Sequence, residues 1–222
     1  VRKLLVFVVL AYVAVASIEV AGYDLLPYLS LNLRFDDAVS WIGLAWQPLT
    51  YWFVYPAVTD ELINIGAVLL MTYFFLSPFE RVFGASRTVV LCVLGVLSGA
   101  VAVILLAQFY PAVRSYYGGG VLVAAAFGTF PVIWKDAKVL FLFVVPMNAW
   151  AALALGVAAM GFIAMLNRDP FIFAADIAAT IAGIAYAQWL LKAPKRDDDR
   201  RSKKKRQGGP KLKVIEGGAD ND

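Results

Sequence analysis

Residues 88–107 read TVVLCVLGVLSGAVAVILLA, a run of twenty residues without a single charge. A helix needs about 20 mostly apolar residues to cross a bilayer, so this stretch alone predicts a membrane span. The whole chain agrees with it, because 61% of the 222 residues are hydrophobic and only 16% are charged. A soluble globule could not cover such a composition with polar side chains. The sequence therefore predicts an integral membrane protein that has the lipid bilayer as its first partner.

Five more apolar stretches lie on either side of this run. They are residues 4–21, 62–78, 121–134, 149–166 and 171–191. The first follows Arg2-Lys3 as in a signal peptide, but it is long and ends in the poor cleavage sequence Ser17-Ile18-Glu19, so we expect a retained span. The predicted fold is all-α, a six-transmembrane-helix bundle over residues 1–191. A partly embedded, aromatic-rich loop with short interfacial helices is expected over residues 22–61.

Basic residues are unevenly distributed between the predicted loops, which sets the expected orientation. With six spans, one side carries Arg2, Lys3, Arg81, Arg87, Lys135, Lys138 and the C-terminal tail, and the other carries Arg34, Arg114 and Arg168. A multi-pass protein with both termini in the cytoplasm is therefore predicted. We interpret residues 192–222 as a basic, disordered cytoplasmic tail. It acts either as a topology determinant or as a contact for anionic lipid, worth about 1 kcal/mol per basic residue; nucleic acid is not an expected partner.

The residue types that the chain lacks exclude several kinds of catalytic and metal-binding site. The chain has no histidine, which excludes Ser-His catalysis, zinc held by histidine and haem ligation by histidine. Its one cysteine, Cys92, excludes an intrachain disulfide and a cysteine metal cluster. We therefore predict no metal and no cofactor.

Three features in a fixed order resemble the rhomboid family of intramembrane serine proteases (peptidase S54) and its inactive relatives, and more distantly the derlins. Trp46-Gln47 lies in the loop after the first span, where rhomboids often have Trp-Arg. Glu80-Arg81-Val82-Phe83-Gly84 is similar to the Glu-x-x-x-Gly that follows their second span. Residues 118–153 have their glycine-rich start to span four, then a basic turn and the apolar LFLFVVP before span five.

The resemblance implies where a catalytic site would lie. The serine of the family's Gly-x-Ser-Gly falls at Gly120, and its span-six histidine falls at Asp176. The family's span-two residues that hold the oxyanion fall near Asn64 and Val68. A serine hydroxyl is a weak nucleophile that needs an adjacent base. Since serine and histidine are both missing, the sequence predicts a rhomboid-like pseudoprotease with no catalytic residues.

Asp176 is an ionisable residue inside a predicted span, where charges are costly and usually face a partner. Two interpretations stay open: contact with a client helix or a water-filled cavity, and a structural residue bonded to Asn64, Thr180 or backbone. Around it, Ala175, Ala179 and Gly183 recur every four residues. Small residues at that spacing let helices approach closely, so we expect them to pack span six against span four.

The predicted function is binding of transmembrane client helices without cleavage. The expected groove is lined by residues of the loop and of the glycine triplet: Trp46, Trp52, Tyr55, Gly118 and Gly119. One alternative is a small transporter or channel that uses Asp176, although no internal repeat is visible. The other is an active intramembrane serine protease, the function that the fold by itself would suggest.

Overall fold

The structure is a computed structural model of the chain. It describes residues 1–23, 25–33, 42–43, 45–54, 59–110, 115–118, 120–135, 138–141 and 145–192. The predicted C-terminal tail, Tyr55 and Gly119 lie outside the described residues, as does the side chain of Asn64. The chain divides into a unit over Val1–Gln188 and a second over Trp189–Asp222. The second is described only at its first four residues, which are helical.

Helices account for most of the described structure, in agreement with the predicted class. Six of the described helices lie at the six apolar stretches predicted as spans: α1 Arg2–Val20, α4 Thr59–Phe83, α5 Ala85–Ala107, α6 Gly120–Ile133, α7 Ala149–Asn167 and α8 Pro170–Lys192. With 14 residues, α6 is the shortest of the six. Two short helices lie in the loop after α1: α2 Leu26–Leu29 and α3 Gln47–Thr50, followed by a 3₁₀ turn over Tyr51–Phe53. The short helices expected in that loop are therefore present.

Four helical segments are long and apolar enough to cross a membrane: Ile65–Phe83, Ala85–Ala107, Ala149–Asn167 and Pro170–Lys192. These four segments, found among the described residues, support an integral membrane protein, but the predicted count of six spans is not confirmed. The helix α6 is not among them because it is too short. Its 14 residues rise only about 21 Å, whereas the hydrocarbon core of a bilayer is about 30 Å thick.

The predicted spans 62–78 and 88–107 leave nine residues between them, whereas the observed connection between α4 and α5 is far shorter. Both helices continue into that stretch, and Gly84 alone separates them. Its φ of +85° is a conformation that side-chain-bearing residues rarely adopt. The Gly84 amide donates to the Glu80 carbonyl at 2.8 Å, and the Thr88 hydroxyl donates to the Gly84 carbonyl at 3.0 Å. The charged residues of the turn consequently lie on helices.

Besides the helices, the described residues form two small antiparallel sheets that were not predicted. β1 (Leu31–Asn32) pairs with β2 (Ser115–Tyr116), and β3 (Lys138–Phe141) pairs with β4 (Val145–Asn148). The apolar LFLFVVP segment therefore contributes to a hairpin, since its Leu, Phe and Val residues favour strands as much as helices. The hairpin ends where Asn148 caps α7, its side chain accepting from the Ala151 amide at 2.6 Å.

The short helix α6 forms the centre of the bundle and contacts α4, α5 and α7. Most of its residues are buried, including Val121, Leu122, Ala124, Ala125 and Ala126. Because alanine and valine are small, neighbouring helices can approach its backbone closely. The start of α6 is thus held among long helices, and this position determines the candidate site.

Candidate functional site

Gly120, the first residue of α6, lies against the side chain of Asp176 in α8. A Cβ added at Gly120 would lie 2.8 Å from Asp176 Oδ1 and 3.1 Å from Oδ2. Asp176 is only 6% exposed. The carboxyl group therefore fills the space that a side chain at position 120 would occupy. The structure brings together the two residues that correspond to the predicted nucleophile and base positions.

Close packing between α6 and α8 produces this contact. A Cβ at Gly183 would collide with the Ala125 carbonyl oxygen, and one at Gly128 would collide with the Thr180 carbonyl oxygen. Ala175 and Ala179 are fully buried on the same helix. The small residues of α8 thus lie where the backbones of the two helices meet.

Thr180 adds a hydrogen bond between the two helices. Its hydroxyl donates to the Asp176 backbone carbonyl at 2.8 Å and reaches the Ala124 carbonyl of α6 at 3.3 Å. The contact with Asp176 is thus to the backbone, not to the carboxylate as one interpretation of the sequence expected. Among the described residues, no donor bonds to the Asp176 carboxylate. A buried carboxylate of this kind is available for a polar partner.

Tyr51 brings the loop after α1 into the site. Its side chain is fully buried, and its hydroxyl donates to the Val96 carbonyl of α5 at 2.9 Å. The hydroxyl also lies 2.7 Å from the position that a Cβ at Gly99 would take. Burial, and secondarily the charge of Asp176, raise the pKa of the Tyr51 phenol far above its usual value. The phenol consequently stays protonated and remains a donor.

The chain just before α6 is bonded to the same loop. The Gly118 amide donates to the Tyr51 carbonyl at 3.0 Å, and Leu31 pairs with Tyr116 across the β1–β2 sheet. Gly118 has φ +130°, which glycine alone adopts readily. The loop and the start of α6 therefore form one connected structure.

Hydrogen bonds inside the loop hold the helical turn that precedes Tyr51. Gln47 is 2% exposed, and its Oε1 accepts from the Asn32 amide at 3.0 Å. The Thr50 hydroxyl donates to the Leu29 carbonyl at 2.7 Å, and the Trp46 indole donates to the Tyr28 carbonyl at 2.9 Å. Gln47 therefore joins the helical turn to the neighbouring strand, at the position where the family often has arginine.

The remaining groove candidates are less closely grouped. Trp46 is 39% exposed at the loop surface. The indole of Trp52 donates to the Leu49 carbonyl at 2.8 Å, and its ring packs edge-on against Phe53. Trp52 lines a cavity beside α1, and neither Gly120 nor Asp176 lines that cavity. A single groove containing all the predicted residues stays a prediction.

A comparison with protein-family models decides the family. The Rhomboid domain model matches residues 43–193, more than half of the chain. The chain belongs to the rhomboid family. No match was found among curated proteins. The match includes Tyr51, Gly120 and Asp176, so the site of this rhomboid lies within the family domain.

The sequence interpretation missed two parts of the rhomboid site. Gly95 and Gly99 of α5 pack against α6, where an added Cβ would come within 2.6 Å of the Ala125 Cβ and 2.7 Å of Val121 Cγ1. Their Gly-x-x-x-Gly spacing is a known signal for close helix packing and could have revealed this contact. Tyr51 had no comparable signal, because its partner Val96 lies 45 residues away. In the described part of the chain, no group of three His, Cys, Asp or Glu residues could hold a metal.

Proposed function

We propose that this rhomboid is a pseudoprotease that binds transmembrane helices of client proteins without cleaving them. The observation that carries the proposal is the contact between Gly120 and Asp176. In active rhomboids these positions hold the serine and the histidine. Glycine has no nucleophile, and the chain contains no histidine that could act as the base.

The burial of Asp176 supports a binding role. A carboxyl group inside a membrane protein is costly unless it meets a partner. Thr180 uses its hydroxyl on backbone carbonyls, so it does not serve the carboxylate. A client helix with a polar side chain or a kinked, unpaired backbone would be better satisfied beside this group than in lipid.

The packing around α6 indicates the side from which a client helix would approach. α5 and α8 contact α6 through glycine and alanine at backbone distance. The contacts of α4 and α7 with α6 include the side chain of Phe127, whose ring packs edge-on against Phe75 and lies against Gly156. A side chain can change rotamer whereas a backbone contact cannot open without moving a helix. We therefore propose that clients approach between α4 and α7.

Site-specific photocrosslinking tests this proposal. A photoreactive residue is placed at Leu70 of α4 or Phe162 of α7, which are 53% and 58% exposed. The matched controls are Val101 of α5 and Ile181 of α8, at 56% and 60% exposure. We expect protein adducts from the first pair and lipid adducts from the second. Lipid adducts alone at all four positions would overturn client binding.

An activity assay tests the other half of the proposal. We expect a model transmembrane substrate to stay intact in proteoliposomes that contain the purified protein. Cleavage that disappears on a single substitution in this chain would show that the protein is a protease. We also propose that both termini lie on the cytoplasmic side, as the distribution of basic residues predicts.

A further inference from the structure

A cavity lies between α1, α4, α5 and the turn after α3. Its volume is about 760 Å³, within the range of roughly 300–1,000 Å³ of small-molecule sites. Most of its lining is apolar and includes Leu4, Leu49, Trp52, Val89 and Val93. Gly120 and Asp176 do not line it, whereas Val96, whose carbonyl accepts the Tyr51 hydrogen bond, does.

The charges of this cavity are gathered at one end. Arg2, Lys3, Glu80 and Arg81 line it near the junction of α4 and α5. Glu80 is paired with the amino group of Val1 at 2.7 Å, so the three basic side chains leave a positive excess there. The three basic side chains are exposed, so they form a rim and are not part of the packed interior.

The length of the cavity matches one leaflet of a bilayer. On α5 its lining runs from Ala85, beside the basic rim, to Val96, beside Trp52. That interval rises about 16 Å along the helix, close to half of the roughly 30 Å hydrocarbon core. A molecule in the cavity would therefore have its polar end at the membrane surface and its apolar end near the midplane.

We propose that this cavity binds one anionic phospholipid. The Arg2, Lys3 and Arg81 side chains contact the headgroup phosphate, which guanidinium groups bind through paired hydrogen bonds. The acyl chains lie along Val89 and Val93 and end against Trp52. This site uses none of the basic residues of the tail and does not depend on client binding.

Native mass spectrometry of the purified protein tests the headgroup site. Phosphatidylglycerol and phosphatidylcholine of identical chains are offered together, and the retained lipid is counted. We expect a clear preference for phosphatidylglycerol that falls by at least about fivefold per cation in Lys3→Gln/Arg81→Gln. The matched control is Lys135→Gln/Lys138→Gln, which removes two exposed cations outside the cavity and leaves the preference unchanged. Equal retention of both lipids, or equal loss in both variants, would overturn the proposal.

Fluorescence quenching in the unaltered chain tests the acyl-chain site, and Trp52→Phe assigns the signal to the tryptophan that lines the cavity. Phosphatidylglycerol with brominated chains is expected to quench tryptophan emission, and Trp52→Phe to lose the saturable part of the quenching. Glycerol phosphate, which has the same charge and no chain, is expected to compete weakly and tests for a free phosphate site. Quenching that is identical in Trp52→Phe would mean that the chains lie elsewhere and the proposal is wrong.

Discussion

The carboxyl group of Asp176 occupies the space in front of the Gly120 α-carbon, with Oδ1 only 2.8 Å from the position of an absent Cβ. The two residues are complementary, because a side chain at position 120 would compete with the carboxylate for the same volume. This complementarity connects the family membership of the chain with its proposed loss of catalysis. It also makes the pair a direct target for substitution.

Introducing serine at position 120 together with histidine at position 176 is expected to create a reactive serine. In Gly120→Ser/Asp176→His the new hydroxyl and imidazole would come within hydrogen-bonding distance, so the base could activate the nucleophile. We expect a fluorophosphonate probe to label the double variant, but neither the wild-type chain nor Gly120→Ser. Labelling of the wild-type chain would show an intrinsic nucleophile and contradict the pseudoprotease.

Replacing Asp176 with asparagine separates a binding role from a structural one. The amide keeps the shape of the carboxyl group, and no described donor depends on its charge. We expect the free energy of unfolding to change by no more than about 1 kcal/mol, while client crosslinking at Leu70 and Phe162 falls. Reversible unfolding in detergent and the crosslinking yield measure the two effects. A large loss of stability with an unchanged crosslinking yield would show that Asp176 has a structural role and not a binding role.

The α6–α8 interface is expected to reject even a methyl group. In Gly183→Ala the new Cβ meets the Ala125 carbonyl, a backbone atom that cannot move alone. We expect destabilisation of about 1–3 kcal/mol. Gly66→Ala in α4 is the matched control, because nothing lies within 4 Å of its Cβ position. The control should be neutral or slightly stabilising, and equal effects of the two substitutions on the unfolding midpoint would disprove the interface.

The Tyr51 hydroxyl is expected to stabilise the loop. Tyr51→Phe removes its hydrogen bond to the Val96 carbonyl, which keeps its helical bond within α5. We expect a loss of about 0.5–1.5 kcal/mol and faster proteolysis of the loop. Tyr23→Phe is the control, since Tyr23 is 71% exposed. Proteolysis at the same rate in both variants would argue against this anchor.

Tyr51 also predicts a pH dependence. The folded protein raises the pKa of this phenol, so folding favours its neutral form. The stabilisation is therefore complete below the ordinary tyrosine pKa of about 10 and is lost as the pH rises from there towards the raised value. Unfolding followed between neutral pH and strongly alkaline pH should show a steeper loss of stability in the wild-type chain than in Tyr51→Phe. Parallel curves would exclude Tyr51 as the titrating group.

The helices could be predicted well, because the requirement for long apolar runs in a membrane is severe. The fifth predicted span, 149–166, differs from α7 by one residue. The boundary between α4 and α5 at Gly84 could not be predicted. Charged residues such as Glu80 and Arg81 are typical of a loop between spans, although here they continue the helix. The β3–β4 hairpin was missed because a short run of Leu, Phe and Val does not distinguish strand from helix.

The candidate site could be predicted only in part. The positions of Gly120 and Asp176 followed from a motif that the family keeps in order along the chain. Tyr51 could not be identified, and Gln47 was noted only for the Trp46-Gln47 pair, since their roles depend on contacts with Val96 and Asn32 that arise in the fold. Local sequence patterns contain periodicity and composition but not the partners of a buried side chain.

The bonds between the loop and later parts of the chain have a consequence for synthesis. Tyr51 is translated well before Val96, and Leu31 is translated long before its strand partner Tyr116. The loop must therefore wait in a partly unfolded state at the membrane until α5 and β2 emerge, since a non-local contact cannot form before both segments exist. Docking of this early segment therefore depends on the middle of the chain, up to Tyr116, and does not require α7 or α8.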